Sequence, residues 1–192
     1  STPKYLNSPE SPIFEKGKIL FAFDKAYKSI RQEKQAILVE GYMDVISAHN
    51  QGVTNVVASL GTAYTQAHGH ILRRQAEEIV LAYDMDGAGR QAATRAIELL
   101  QNTDFKVRVL AMPDGKDPDD YVRNHGARAF KELIAQAVKP LDYLLSESLI
   151  KHDTNDTEGK QAVLADVFPY IANIHSQTQR DDALKALALP LW

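Results

Sequence analysis

Cysteine is absent from this sequence of 192 residues. Its absence excludes a disulfide framework, a thiolate zinc site and a cysteine nucleophile, and it suits a reducing compartment. No apolar run approaches the roughly 20 residues that a membrane-spanning helix needs, and the first residues lack the basic and then apolar pattern of a signal peptide. We therefore expect a soluble cytoplasmic protein that has no membrane partner.

The composition has no extremes. Hydrophobic residues make up 44% of the chain and charged residues 24%, with a net charge of -3. These fractions lie close to the averages of soluble globular proteins, so disorder and fibrous repeats are poor interpretations. A chain of this length can bury a sizeable core, and we expect one compact domain with a smaller appendage.

Several common catalytic motifs are missing as well. The histidines are dispersed along the chain, which argues against a histidine metal site; they are His49, His68, His70, His125, His152 and His175. Residues 59–62 could bind a phosphate through backbone amides, but they lack the spacing of a P-loop. No serine, histidine and aspartate stand in the arrangement of a hydrolase triad.

Short apolar runs alternate with helical patterns over the first part of the chain. Strands are predicted at residues 36–39, 55–58, 79–83 and 106–111, and helices at 17–32, 43–50, 65–76 and 90–100. Strands that are apolar throughout, such as Ile79-Val80-Leu81-Ala82, are expected where helices cover both faces of a parallel sheet. The pattern predicts an α/β fold with an open, doubly wound, mainly parallel sheet.

Strand signals stop after Pro113, and only helical patterns follow. Helices are predicted at residues 118–124, 127–138, 141–152, 158–174 and 181–188. We therefore divide the chain into an entry segment with a helix at 1–34, an α/β domain at 35–115 and a helical subdomain at 116–192.

Acidic residues follow three of the four predicted parallel strands. They are Glu40 and Asp44 after the first strand, Asp84 and Asp86 after the third, and Asp117 and Asp119 after the fourth. In an open α/β sheet, ligands bind in the crevice beyond the carboxyl ends of the strands. We expect these side chains to meet there, because surface acids would scatter over both edges of the sheet.

Crowded carboxylates repel one another, so such a cluster implies bound cations or basic partners. Oxygen ligands without histidine or cysteine favour Mg²⁺ or Mn²⁺ over zinc or copper. Gly87 and Gly89 leave room for backbone amides to approach a phosphate or a hydrated ion. Ordinary structural roles remain open: Asp117 before Pro118 is typical of a helix N-cap, and Asp44 suits the N-terminal end of its helix.

Four motifs resemble the Toprim domain of bacterial DnaG-type DNA primases. They are Glu40-Gly41-Tyr42-Met43-Asp44-Val45, Ser59-Leu60-Gly61-Thr62-Ala63, Asp84-x-Asp86-x-Ala88-Gly89 and Asp117-Pro118-Asp119-Asp120. The entry segment resembles the stretch that leads into that domain, through Pro3-Lys4-Tyr5-Leu6-Asn7-Ser8-Pro9-Glu10 and Phe14-Glu15-Lys16-Gly17. Topoisomerases, recombination-mediator proteins and some nucleases share the acidic pattern, but the Glu-Gly-Tyr-Met-Asp and Leu-Asn-Ser-Pro-Glu strings favour primase. The likeness covers about residues 3–145.

The resemblance implies a DNA-dependent RNA polymerase that makes short RNA primers for DNA replication in the bacterial replisome. Its partners would be a single-stranded DNA template, ribonucleoside triphosphates and the RNA primer, and its cofactors two or more Mg²⁺ or Mn²⁺ ions without zinc. By resemblance, the catalytic residues are Glu40, Asp84 and Asp86, and the further metal ligands are Asp44, Asp117 and Asp119. The residues that border nucleotide and template are Lys4, Tyr5, Asn7 and Lys16.

The chain also departs from this family. We expect a fragment, because it opens on Ser1 and lacks the zinc-ribbon module and most of the N-terminal half of the polymerase core. The helicase-binding domain has no room unless the last forty residues begin it, so we expect helicase contact through a missing domain. Such a fragment would be weakly active or inactive.

Three other functions stay open. A Toprim nuclease would use the same ions to cleave a phosphodiester. A phosphoacceptor or phosphatase fold would use Asp84 as a nucleophile. A replication interaction module without enzymatic activity would bind its partner through the helices of residues 140–192.

Overall fold

The computed structural model of the chain describes residues 11, 14–59, 63–113 and 117–191. The strands are β1 (Leu20–Phe21), β2 (Gln35–Val39), β3 (Val56–Ser59), β4 (Glu78–Leu81) and β5 (Lys106–Val109). The helices are α1 (Phe23–Glu33), α2 (Tyr42–Asn50), α3 (Gln66–Leu72), α4 (Gly87–Leu100), α5 (Pro118–Ala135), α6 (Pro140–Lys151), α7 (Thr157–Ala172) and α8 (Gln177–Ala188). A 3₁₀ turn at Lys16–Lys18, called the basic turn below, precedes β1.

The five strands form one sheet in the order β1-β3-β2-β4-β5. Strands β2, β3, β4 and β5 run parallel, and β1 pairs with β3 in the antiparallel direction. Helices flank the sheet on both faces. The predicted class, an open mainly parallel α/β sheet followed by a helical subdomain, is confirmed.

The prediction of a single helix over residues 17–32 is wrong in its first part. The chain instead forms the basic turn and the short strand β1 before α1 begins at Phe23. Ala22 separates strand from helix with a left-handed backbone, at φ 60°. A strand of two residues has no detectable period, and it forms where the chain pairs with the edge of β3 and buries Leu20 in the core.

Alternate residues of the central strands face two separate cores. Ala36 and Leu38 pack in the core that includes α1, α3 and α4, whereas Ile37 and Val39 pack in the core that includes α2 and α5. All four side chains are buried. This double coverage explains why the strands are apolar throughout, and it leaves the ends of the strands as the places where polar groups can gather.

The helices after β5 pack partly on the sheet and partly on each other. Helix α5 is interrupted at Gly126, where the backbone is not helical (φ 76°, ψ 174°), so a kink separates the two helices predicted at 118–124 and 127–138. Helices α6, α7 and α8 share a third core around Val163, Val167 and Leu187. Within the described part of the chain, no helix is both long and apolar enough to cross a membrane.

Candidate metal and active site

The candidate site lies where the direction of the sheet connections changes. Strand β2 is central, and the chain passes from it to β3 on one side and then crosses to β4 on the other. The connections leave the carboxyl ends of β2 and β4 in opposite directions, which opens a crevice between them. Glu40 follows β2 directly, and Asp84 lies three residues beyond the end of β4.

Glu40 and Asp84 are in contact across this crevice. The backbone N–H of Asp84 donates a hydrogen bond of 3.2 Å to Oε1 of Glu40. Two acids that are far apart in sequence thus meet at one edge of the sheet, as the strand order predicts. The carboxylate oxygen Oδ1 of Asp84 is buried and has no hydrogen-bond partner. A buried acceptor without a partner is costly, and a cation would satisfy it.

The N-terminus of α4 closes one wall of the crevice. Asp86 caps α4, since its Oδ1 accepts a 2.7 Å hydrogen bond from the N–H of Gly89. A Cβ atom at Gly89 would lie 2.2 Å from the carbonyl oxygen of Asp84 and 2.5 Å from Oε1 of Glu40. A Cβ atom at Gly87 would have no other atom within 4 Å. Of the two glycines expected to leave room, only Gly89 is required by close packing.

Asp44 joins the first strand end to the start of α5. Its Oδ2 accepts a 2.9 Å hydrogen bond from the N–H of Gly41, and its Oδ1 accepts one of 3.1 Å from the N–H of Asp119. The hydroxyl of Ser47 donates to Oδ1 of Asp119. Both oxygens of Asp44 therefore have backbone partners, an arrangement that holds α2 against α5.

Asp117 and Asp119 are placed by the first turn of α5. Asp117 is the N-cap that its position before Pro118 predicts, and its Oδ1 accepts a 2.7 Å hydrogen bond from the N–H of Asp120. Among the residues that the structure describes, one group of three acids has ligand oxygens within 4.8 Å of one another, namely Asp117, Asp119 and Asp120. This trio adds Asp120 to the sequence-predicted set.

The acids at the three strand ends interact electrostatically. Burial, together with the charges of Asp84 and Asp86, raises the pKa of Glu40 to about 7. The pKa of Asp84 is raised by burial and then by the charges of Asp117 and Asp86. Burial also raises the pKa of Asp44 to about 7, against the hydrogen bonds from Gly41 and Asp119. Without a counter-charge these carboxylates destabilise one another, so the set fits a hard divalent cation.

The basic turn lies at the same edge of the sheet. Leu20, the first residue of β1, stands opposite Ser59, the last residue of β3. Because β1 is antiparallel to β3, Lys16 and its neighbours lie beyond the carboxyl end of β3. Of the residues predicted to border nucleotide and template, Lys16 is the one whose position the structure describes. The others, Lys4, Tyr5 and Asn7, lie outside the described residues, as do Leu60, Gly61 and Thr62.

Sequence reasoning missed three residues of this site. Ser47 is one, and its signal was available, since it stands three residues after Asp44 on the same face of α2. Asp120 is another; it belongs to the Asp117-Pro118-Asp119-Asp120 motif but is not among the predicted ligands. The third is Tyr83, a buried tyrosine whose hydroxyl has no hydrogen-bond partner and whose pKa is raised by burial and by the charge of Glu40.

Three family models match the chain. Residues 37–122 match the Toprim-like model, residues 1–27 the model of the N-terminal domain of the DNA primase catalytic core, and residues 141–189 the model of the DnaB-helicase binding domain of primase. The expectation that a helicase-binding domain is missing here is therefore wrong. The helical pattern of residues 141–189 indicated three ordinary helices and carried no motif that identified them.

The chain is also similar to individual primases. It is 40% identical to the DNA primase of Halalkalibacterium halodurans, over 97% of this chain and 31% of that protein. It resembles the RNA polymerase domain of Mycobacterium tuberculosis primase DnaG, with a TM-score of 0.85 and 32% identity over 98% of this chain and 61% of that one. A DnaG primase catalytic domain bound to ssDNA matches with a TM-score of 0.81 and 34% identity, over 98% and 62% of the two chains. The chain spans about a third of the length of the curated relatives it matches.

Proposed function

Because this chain belongs to the DnaG-type DNA primase family and carries the Toprim-containing part of the catalytic core, we propose that it supplies the divalent-metal site for RNA primer synthesis. The observation that carries the proposal is the contact between Glu40 and Asp84 at the crevice between β2 and β4. The buried oxygen of Asp84 without a partner and the raised pKa values of Glu40 and Asp84 support it.

The reaction class is nucleotidyl transfer, in which a 3′-hydroxyl attacks an α-phosphate and pyrophosphate leaves. Bound Mg²⁺ or Mn²⁺ ions would lower the proton affinity of the hydroxyl and neutralise charge on the leaving pyrophosphate. Glu40, Asp84 and Asp86 are the ligands we propose for this chemistry. Asp117, Asp119 and Asp120 would hold a further ion, since their oxygens already lie close together.

The protein holds three of these six ligands in place before any ion binds. Oε1 of Glu40 is fixed by the Asp84 amide, and Asp86 and Asp117 are fixed by the helix N-termini that they cap. Carboxylates that are already oriented lose little side-chain entropy on ligation. We assign Asp44 a different task, since its two oxygens hold the backbone amides of Gly41 and Asp119 and so keep the acidic turns together.

The proposed nucleic-acid partners are a single-stranded DNA template and the growing RNA primer, with ribonucleoside triphosphates as substrates. The similarity to a DnaG catalytic domain bound to ssDNA supports the template. The basic turn near the acidic edge supports a phosphate contact there. Acting on these substrates would place the protein at the bacterial replication fork in the cytoplasm.

A replicative helicase is the proposed protein partner. Residues 141–189 match the DnaB-helicase binding domain of primase and correspond to α6, α7 and α8. On α7, Leu164 and Phe168 are one helical turn apart, and their exposed fractions are 38% and 52%. Exposed apolar residues at this spacing are typical of a protein contact. We propose that this face of α7 contributes to helicase binding.

The metal site is tested by Mn²⁺ titration calorimetry on the chain and on Asp86→Asn. Asparagine is a good N-cap, so this substitution keeps the start of α4 and removes one ligand charge. We expect at least a tenfold loss of Mn²⁺ affinity. The matched control is Asp156→Asn. Oδ1 of Asp156 caps α7 by accepting an equivalent 2.7 Å hydrogen bond from the N–H of Gly159, and Asp156 belongs to none of the acidic turns. Unchanged Mn²⁺ affinity in Asp86→Asn would contradict the proposed ligand set.

The reaction class is tested on the full-length protein with Mn²⁺, ribonucleotides and a single-stranded template. Primer synthesis that Asp84→Asn abolishes would support nucleotidyl transfer. Scission of the template without primer synthesis would favour the nuclease instead.

A further inference from the structure

The start of α3 forms a polar clamp that consists of Thr65 and His68. Thr65 is the N-cap, and its hydroxyl oxygen accepts a 3.2 Å hydrogen bond from the backbone N–H of His68. In return, the backbone N–H of Thr65 donates a 3.2 Å hydrogen bond to Nδ1 of His68. The two residues are thus locked to each other in a reciprocal capping arrangement.

The clamp holds the backbone of the basic turn. The hydroxyl of Thr65 donates a 2.6 Å hydrogen bond to the carbonyl oxygen of Gly17. Nε2 of His68 lies 3.3 Å from the carbonyl oxygen of Lys16. Because Nδ1 of His68 accepts a hydrogen bond from the Thr65 amide, the ring proton is on Nε2. Nε2 therefore donates a hydrogen bond to the carbonyl oxygen of Lys16. The carbonyl groups of Lys16 and Gly17 therefore have side-chain partners at the start of α3.

His68 is a buried, neutral side chain in this position. Its side chain is fully buried, with 0% exposed. Burial lowers its pKa, and the imidazole stays neutral with one donor and one acceptor nitrogen. The proposed metal chemistry leaves this buried polar network without a role.

The clamp also connects the basic turn to the acidic edge. The basic turn lies beyond the carboxyl end of β3, since Leu20 pairs with Ser59. The turn is closed by hydrogen bonds from the N–H of Lys18 to the carbonyl oxygen of Glu15 and from the N–H of Ile19 to that of Lys16, and the clamp adds two bonds to the body of the domain. A turn without these added bonds would lose more backbone freedom when a phosphate binds, and that loss would reduce affinity.

We propose that Thr65 and His68 are positioning residues for phosphate binding, which fix the basic turn so that Lys16 neutralises a phosphate of the nucleic acid beside the acidic crevice. This inference rests on the proposed function, because it takes template binding by this edge as its premise. Neither residue touches the phosphate, and both act through the carbonyl groups of Lys16 and Gly17.

The test is the salt dependence of single-stranded DNA binding by the chain, measured by fluorescence anisotropy with oligothymidylate. Each phosphate neutralised on a single strand adds about 0.7 to the slope of log affinity against log salt. We expect Lys16→Ala to reduce the slope by about 0.7, and Thr65→Val to reduce it by the same amount. The double variant should lose no more than either single variant, because both remove the same contact.

Conservative variants separate positioning from stability. Thr65→Ser keeps the hydroxyl and should keep the slope of the unaltered chain. His68→Gln offers an acceptor and a donor at similar separation and should also keep it, whereas His68→Leu should lose about 0.7. Melting temperatures of the same variants record the purely structural effect of losing the N-cap. A lower melting temperature with an unchanged slope in both Thr65→Val and His68→Leu would overturn the inference.

Its failure is distinguishable from failure of the proposed function. If Lys16→Ala lowers the slope and the clamp variants do not, the clamp is structural only and the metal site stands. If Lys16→Ala leaves the slope unchanged, or the unaltered chain does not bind oligothymidylate, the inference is overturned. Titration calorimetry with Mn²⁺ tests the metal site separately, and we expect the same Mn²⁺ affinity in all clamp variants.

Discussion

Replacing Gly89 with alanine should test the packing of the acidic crevice directly. The added Cβ would lie 2.2 Å from the carbonyl oxygen of Asp84 and 2.5 Å from Oε1 of Glu40, where real Cβ atoms keep at least 3.0 Å. The first contact is with backbone, so it cannot be relieved by a side-chain rotation. Either α4 must move by nearly 1 Å, or the contact between Glu40 and Asp84 must open.

Two opposing free energies set the size of the effect. Overpacking in a well-packed site costs about 1–3 kcal/mol. Alanine in place of glycine in a helix contributes about 1 kcal/mol of stability. The net loss of unfolding free energy in Gly89→Ala should therefore be up to about 2 kcal/mol. For a chain of this size, that upper value corresponds to a fall in melting temperature of about 4–8 °C.

Gly87→Ala is the matched control, two residues away in the same helix. Nothing lies within 4 Å of a Cβ atom at Gly87, so the substitution should leave stability unchanged or raise it by up to about 1 kcal/mol. Urea denaturation gives both free energies, and calorimetry gives the Mn²⁺ affinity of each variant. We expect at least a tenfold loss of affinity in Gly89→Ala alone. Equal stability and equal Mn²⁺ affinity in the two variants would refute the packing argument.

Three further outcomes follow from the charges and surfaces of the same chain. Asp84→Asn should raise the ion-free stability by about 1 kcal/mol, since it removes a crowded charge, and should abolish Mn²⁺ binding at the site formed with Glu40 and Asp86; lower stability without ions would contradict this. The pKa values of Glu40 and Asp44 are raised from 4.5 and 3.8 to about 7, so the folded state binds these protons more tightly than the unfolded chain does. Their contribution to stability should be full below about pH 4 and should be lost as the pH rises to 7. Urea denaturation at several pH values should show this loss of unfolding free energy, and saturating Mn²⁺ should restore the stability above pH 7. A pH profile of stability that Mn²⁺ does not change would contradict the prediction. Phe168→Asp should weaken capture of a DnaB-type helicase at least tenfold, and Ile150→Asp on α6, where the side chain is 76% exposed, should not; equal effects would remove α7 from the contact.

The alternation of apolar runs and helical patterns was sufficient to predict the class of fold. Residues 36–39 and 79–82 are apolar at every position because both of their faces are covered, and that coverage leaves a signal in the chain itself. The set of candidate acids was predictable for a related reason. Carboxyl ends of parallel strands share one edge, so Glu40, Asp84 and Asp86 could be placed together before any contact was known.

Other features had no local signal. Strand β1 is two residues long, and its direction depends on the edge of β3 that it meets. Helices α6, α7 and α8 read as ordinary amphipathic segments, and the match to a helicase-binding model came from comparison and not from a motif. Helix periodicity reports which face is buried but not which partner buries it.

The order of residues thus determined which groups carry charge at the ends of the strands and that these ends meet. The tertiary structure decided which contacts each group makes. Asp44 has the residue type of a metal ligand, yet both of its oxygens hold backbone amides that arrive from its own turn and from α5. His68 is one dispersed histidine among six, yet it joins α3 to the turn of Lys16. Residue type and spacing limit the roles that a side chain can have. Which role it has depends on hydrogen bonds between segments that are distant in sequence, and these bonds form only when the sheet has brought the segments together.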